Sequence, residues 1–255
     1  MFTEEFKLIA GAAKVKTAFL NGNPLGYFVA SMLAGMYVGL GITLIFTIGG
    51  LLDGAPYAKI LMGSSFGIAL SLVIMAGSEL FTGNNLVMVS GVWSGTVSIQ
   101  DMIKLWIVCY LGNWAGAALF AAVYCGTELT AGGAGKFIAA TAAIKMSVQP
   151  LPLFLRAVLC NILVCLAVWC SFRAKSGSEK LIMIWWCLFA FITSGFEHSI
   201  ANMTLLTIAL FAPFEAAVSV GGYFYNILVV TLGNMVGGIF FVALPYYLIS
   251  KRKEG

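Results

Sequence analysis

From Pro24 to Leu52 the chain carries no charged residue, and runs of this kind recur five more times. Ile60 to Met75 leads into a second run that continues past Glu79. Leu105 to Tyr124 is a third. Ala157 to Phe172 is a fourth, extended at its start by Leu151 to Leu155 around Arg156. Leu181 to Phe196 begins a fifth, which passes Glu197 and His198 and ends at Phe211, and Ala216 to Ser250 is a sixth. A helix needs about 20 apolar residues to cross the hydrocarbon core. A membrane-spanning β-barrel would instead show short segments of alternating polarity. The expected fold is therefore all-α: a polytopic membrane protein with six transmembrane helices, a single domain over residues 1–255.

The charge count supports this class. Only 9% of residues are charged and 61% are hydrophobic, with mean hydropathy +0.99. A soluble domain carries roughly 25% charged residues. A soluble enzyme, a disordered chain and a nucleic-acid binder are all excluded.

The few charges also orient the chain. Ten basic residues fall on the side of the termini: Lys7, Lys14, Lys16, Lys104, Arg173, Lys175, Lys180, Lys251, Arg252 and Lys253. Three fall on the other side, Lys59, Lys136 and Lys145, and Arg156 sits at a boundary. The excess of Lys and Arg on cytoplasmic loops places both termini in the cytoplasm. Glu4, Glu5, Lys7, Lys14 and Lys16 leave no apolar core for a signal peptide in residues 1–20. Phe2, Phe6, Ile9, Ala10, Ala13 and Leu20 repeat at helical spacing. Residues 1–22 are expected to form a short amphipathic helix on the cytoplasmic face.

Cys109, Cys160, Cys165, Cys170 and Cys187 lie in apolar runs and Cys125 near a boundary. None forms a C-x-x-C pair, and packing is the expected role.

Two pairs of fragments recur in order. Glu79-Leu80-Phe81-Thr82-Gly83-Asn84 matches Glu197-His198-Ser199-Ile200-Ala201-Asn202 in the spacing of Glu and Asn. Leu111-Gly112-Asn113-Trp114-Ala115-Gly116 matches Leu232-Gly233-Asn234-Met235-Val236-Gly237 at nearly the same offset. The chain thus reads as two repeats, 24–125 and 151–250. Each holds three crossings, so the two enter the membrane from opposite faces. Such inverted repeats are typical of transport proteins. The second and fifth runs are too long for one crossing and contain clusters of poor helix formers or charges. These are Thr82-Gly83-Asn84-Asn85 in one, and Ser194-Gly195 with Glu197-His198-Ser199 in the other. Non-helical backbone at membrane depth must be buried in protein or line a water-filled cavity. Paired broken helices are therefore the expected conduction site. Gly35/Gly39, Gly112/Gly116 and Gly233/Gly237 are spaced for close helix packing.

Ionisable residues inside the apolar runs point to the same place. His198 is the only histidine, and Glu79 and Glu197 occupy comparable positions. Ionisable groups at that depth usually face a pore or a partner. His198 can exchange a proton or sit neutral on a backbone carbonyl. Glu79 and Glu197 suit clamps that hold the breaks. Asn161 suits either helix–helix bonding or a ligand contact, and Thr82 offers a hydroxyl at the first break. A membrane-embedded enzyme is the reading from another class. It would need His198 with Ser194 or Ser199, and adjacent residues rarely face each other. With Asp53 and Asp101 in loops, no metal triad can be built inside the membrane.

Several segments together resemble the formate/nitrite transporter family. They are Asn23-Pro24-Leu25-Gly26, Gly77-Ser78-Glu79-Leu80-Phe81-Thr82-Gly83-Asn84, Gly112-Asn113-Trp114-Ala115-Gly116, Cys160-Asn161-Ile162-Leu163-Val164-Cys165 and Phe196-Glu197-His198-Ser199-Ile200-Ala201-Asn202-Met203. The resemblance covers nearly the whole chain. Ile184-Trp185-Trp186-Cys187 and Glu197-His198-Ser199-Ile200-Ala201-Asn202-Met203-Thr204 look closest to the nitrite-channel branch. It implies an aquaporin-like protomer in a lipid bilayer, assembled as a homopentamer with one pore per chain. It implies permeation of a small anion, nitrite, formate or hydrosulfide, across the bacterial inner membrane, with no nucleotide, metal or nucleic acid.

By the same resemblance Thr82 and His198 meet at the pore centre, with Asn161 and Glu197 beside them. Leu70, Leu80 and Phe191 form the cytoplasmic constriction, and Phe66 and Phe81 the periplasmic one. Lys16 and Lys145 stand at the two vestibules, and Glu79 and Asn202 support the loops. From the residues alone the five constriction residues would be core, and the two lysines solvated loop charges.

Overall fold

The computed structural model describes residues 2–52 and 54–251. The described residues form helices and their connections. Helix α1 (Thr3–Gly22) precedes α2 (Pro24–Leu52). The second crossing begins as α3 (Ala58–Ser65) and α4 (Gly67–Leu72), widens into a π-turn over Val73–Gly77, breaks, and resumes as α5 (Phe81–Trp93). Helix α6 (Ile99–Gly126) completes the first repeat. A short connection leads to α7 (Gly133–Ser147) and α8 (Pro150–Arg173). The fifth crossing is α9 (Gly177–Ser194) and α10 (Ser199–Phe211), bent by 53° at their junction. Helix α11 (Val220–Gly238) passes through a π-turn at Ile239–Ala243 into α12 (Leu244–Ser250).

Among the described residues five helices are long and apolar enough to span a bilayer, or six when the bent pair counts as one span. This is the number of runs read from the sequence. Large apolar side chains such as Val123, Leu228 and Leu232 stay exposed, as a lipid-facing surface requires. All six cysteines are free.

Local chemistry sets the helix ends. Ser98 and Asp101 form a reciprocal capping box at the start of α6, and Ser176 and Ser219 cap α9 and α11. Pro150 starts α8, where its missing N–H costs nothing. Pro245 removes the amide that would bond one turn back, and the π-turn lies directly before it.

Helix α1 buries Phe6, Ile9, Ala10, Ala13 and Leu20, the apolar positions of its amphipathic pattern. It is tied to the far end of the chain: Thr3 Oγ1 donates to the Ser250 carbonyl at 3.1 Å, and Ser250 Oγ to the Phe2 carbonyl at 3.2 Å. Arg252 and Lys253 of the basic C-terminal cluster, and the acidic loop residue Asp53, lie outside the described residues.

The two repeats pack in the same way. A Cβ on Gly116 would run into the Met32 backbone, and one on Gly237 into the Val158 carbonyl. These contacts bring α2 against α6 and α8 against α11. Small residues permit this approach in lipid, where van der Waals packing replaces the hydrophobic drive.

The first break begins earlier than the composition of its run suggests, and the second falls where expected, between Ser194 and Ser199. Thr82, Gly83, Asn84 and Asn85 are helical, and the extended segment is Ser78-Glu79-Leu80. The reason lies in Gly77, whose φ of +84° ends the helix ahead of the polar cluster. Gly195, φ +78°, ends α9 in the same way. Ser78 N–H then bonds the Val73 carbonyl and Phe196 N–H the Phe191 carbonyl, both at 3.0 Å. This is one left-handed glycine cap used twice.

Candidate permeation site

After each glycine, a buried asparagine holds the extended segment. Asn113 Oδ1 accepts the N–H of Phe81 at 2.9 Å, and its Nδ2 donates to the carbonyls of Ser31 and Glu79 at 2.7 and 2.8 Å. Asn234 Oδ1 accepts the N–H of Ser199 at 2.9 Å, and its Nδ2 donates to Ala157 and Glu197 at 2.8 and 2.9 Å. Backbone groups freed by the breaks are thus satisfied inside protein, as lipid depth demands. The sequence showed both asparagines as repeat markers and gave no sign of this role.

Each break also carries an ion pair. Glu79 takes both its oxygens to Lys16 Nζ, at 2.6 and 2.7 Å, and accepts from Tyr27 Oη and Asn84 Nδ2. Glu197 Oε2 lies 2.7 Å from both Lys145 Nζ and Asn202 Nδ2. Asn202 donates a second bond to Asn226 Oδ1, and Asn226 donates to the Lys145 carbonyl. Lys16 comes from α1, and Lys145 from the last turn of α7, a helix the sequence did not reveal. The glutamate side chains are 12% and 4% exposed, so each lysine is the charge that permits burial.

These pairs stand at two opposed cavities. One, of about 410 Å³, is lined by Lys16, Lys180, Glu79, Leu70 and Leu80 among others. The other, of about 350 Å³, is lined by Lys59, Lys145, Arg156, Glu197, Phe191 and His198 among others. Between them lies a pocket of about 10 Å³ bounded by Phe66, Leu70, Leu80, Phe191 and His198. A space of that size holds about one water.

Leu70 and Leu80 border the pocket and the Lys16-side cavity. Phe191 lines the pocket together with the two leucines and also borders the Lys145-side cavity. It sits near the end of α9, where its ring meets Phe66 edge-on at 5.5 Å and stacks beside His198 at 6.1 Å. Phe81 borders none of the three spaces. It is the first residue of α5, and its ring packs on Trp106 and Tyr110 of α6.

At the centre Thr82 Oγ1 and His198 Nε2 are 3.0 Å apart. His198 is the N-cap of α10, and its Nδ1 accepts the N–H of Ala201 at 3.1 Å. An accepting Nδ1 carries no proton, so the neutral ring bears its proton on Nε2. That N–H then donates to Thr82 Oγ1 and leaves the threonine hydrogen free to donate onward. Asn161 lies behind Thr82 and is fully buried. Its Nδ2 donates to the carbonyls of Thr82 and Asn234 and to Asn85 Oδ1, joining the two repeats. Ser194 and Ser199 make no hydrogen bond to His198 among the described residues.

Inverted repeats, paired broken helices and opposed cavities around a narrow centre define a membrane transport protein. Residues 3–248 match the description of a formate/nitrite transporter. The nitrite transporter NirC of Escherichia coli strain K12 is 44% identical over 260 residues, spanning 99% of this chain and 94% of that protein. A solved FNT family ion channel aligns with TM-score 0.93 and 40% identity, covering 98% of this chain and all of that one. A pentameric formate channel with formate bound aligns with TM-score 0.78 and 30% identity, covering 88% of this chain and 96% of that one. The chain belongs to the formate/nitrite transporter family.

Proposed function

We propose that this protein carries a small monovalent anion, nitrite above all, across the inner membrane of a bacterium, by passive or proton-linked permeation. It works as a homopentamer with one pore per chain and both termini cytoplasmic. The path itself carries the reading: a lysine–glutamate pair at each mouth, apolar side chains at both edges of the centre, and one Thr82–His198 pair between them. Identity to a nitrite transporter at 44%, against 30% to a formate channel, favours nitrite. The formate channel's pentameric assembly supports the homopentamer, and the excess of basic residues beside the termini supports the orientation.

The physics of the centre sets the mechanism. A bare charge in a low-dielectric constriction is expensive. The permeant is therefore drawn in at Lys16 or Lys145 and passes Leu70 and Leu80, or Phe191 and Phe66, one molecule at a time. At the centre it meets the free hydrogen of Thr82, whose oxygen His198 holds. Hydrogen bonding or proton transfer there lowers the charge that must cross the apolar edges. Glu197, with Asn202, fixes the segment that carries His198, and Glu79 does the same for the segment before Thr82. Asn161 positions the Thr82 carbonyl. The protein performs no chemical turnover and needs no metal or nucleotide.

Nitrite, formate and hydrosulfide flux into proteoliposomes, at one acidic and one neutral pH, tests this. Nitrite flux is expected to exceed formate flux and to rise toward acid. His198→Asn keeps a side-chain cap for α10 but offers no ring nitrogen to hold or pass a proton. It is expected to flatten the pH response. An unchanged response would remove His198 from the mechanism.

A further inference from the structure

The two mouths are not equivalent, and the repeat shows where they differ. Glu79 N–H donates to the Ala30 carbonyl at 3.1 Å, and Glu197 N–H donates to the Arg156 carbonyl at 3.3 Å. Ala30 and Arg156 therefore occupy the same place in the two repeats, each beside the glutamate of its break. Ala30 borders the Lys16-side cavity and Arg156 the Lys145-side cavity. The first repeat offers a methyl group there, and the second a guanidinium.

The charges of the Lys145-side cavity are already partly assigned. Lys145 is paired with Glu197. His198 has both ring nitrogens engaged. Lys59 adds a further cation to the lining. Arg156 has no ion-pair partner among the described residues. It is exposed, lines the cavity, and lies on the first turns of α8.

A guanidinium is a planar fork whose parallel N–H groups match a pair of oxygens on one atom. Nitrite and formate each present such a pair, and hydrosulfide does not. We infer that Arg156 is a docking residue for planar oxyanions at the Lys145-side mouth, and that it makes admission of nitrite asymmetric across the membrane. This rests on the anion-transport reading above. The docked anion is held near Lys145 and Lys59 before it reaches Phe191. Among the described residues lining the Lys16-side cavity it meets Lys16 and Lys180 and no arginine.

The test uses the full chain in planar bilayers with sodium nitrite on one face at a time. Wild type is expected to half-saturate at lower nitrite from one face. Arg156→Ala and Arg156→Gln are expected to raise that value about threefold to tenfold at low ionic strength, leaving the opposite face unchanged. The difference is expected to shrink with added inert salt, as it must for an exposed charge. Arg156→Lys is expected to retain hydrosulfide admission but to lose part of the preference for nitrite and formate. Equal losses from both faces, or no loss, would overturn the inference. Ala30→Arg in the wild-type background tests it without removing anything: reduced asymmetry supports it, and unchanged asymmetry overturns it. Absence of nitrite movement in wild type, both as bilayer current and as proteoliposome uptake, would overturn the transport reading instead.

Discussion

Asn113 and Asn234 are counterparts across the repeat: each accepts the first helical N–H after a break and donates to the carbonyl of that break's glutamate. Asn113→Ala orphans one buried N–H and two carbonyls. Each such group costs about 1–3 kcal/mol when left unsatisfied, so the loss should reach about 3 kcal/mol or more. Asn113→Asp keeps the acceptor for Phe81 but loses both donations. Thermal unfolding of the purified protein should rank wild type above Asp and Asp above Ala, with Asn234 variants showing the same order.

Lys145 and Glu197 are 18% and 4% exposed at their side chains, so removing one partner leaves a buried charge. Lys145→Ala is expected to cost about 3–5 kcal/mol. Lys145→Ala with Glu197→Gln should cost less than Lys145→Ala alone. A double-mutant cycle on unfolding free energy measures the coupling. The same cycle on Lys16 and Glu79, at 22% and 12% exposed, should give a smaller value.

Thr82→Val preserves shape and removes the oxygen that pairs with His198 Nε2. It should cost about 1–3 kcal/mol through the unpaired imidazole N–H. Nitrite flux should fall well beyond what any loss of folded protein explains. Thr82→Ser should restore most of the flux. Equal flux in Thr82→Val and wild type would remove the hydroxyl from the path.

Gly116→Ala and Gly237→Ala place a methyl group against neighbouring backbone. Backbone cannot swing aside, so each should destabilise by about 2 kcal/mol or more. Gly221→Ala is the contrast, because a Cβ there meets nothing within 4 Å. It should be neutral or stabilising by up to about 1 kcal/mol, from helix propensity alone. Unfolding in mixed detergent micelles separates the two signs.

Much of this protein was legible in one dimension. Charge-free runs fixed the number of crossings, because lipid allows few other structures at that length. Recurrent motifs around Glu79 and Glu197, and around Asn113 and Asn234, exposed the duplication. An only histidine within an apolar run marked the region where the breaks meet. What remained hidden depended on direction and distance. Gly77 moved the first break ahead of its polar cluster, because a left-handed φ ends a helix where composition does not. Phe81 and Phe191 were both assigned to constrictions by motif; the Phe81 ring packs on α6, while Phe191 lines the central pocket with Leu70 and Leu80. Which way a ring turns depends on its neighbours in space.

The pairing of Lys16 with Glu79 and Lys145 with Glu197 shows the same division. The sequence determined that these charges exist and that the glutamates lie inside apolar runs. Only tertiary structure decided that α1 and α7 bring a lysine to each one. Coulomb attraction depends on separation, and the partners lie far apart along the chain, 63 and 52 residues.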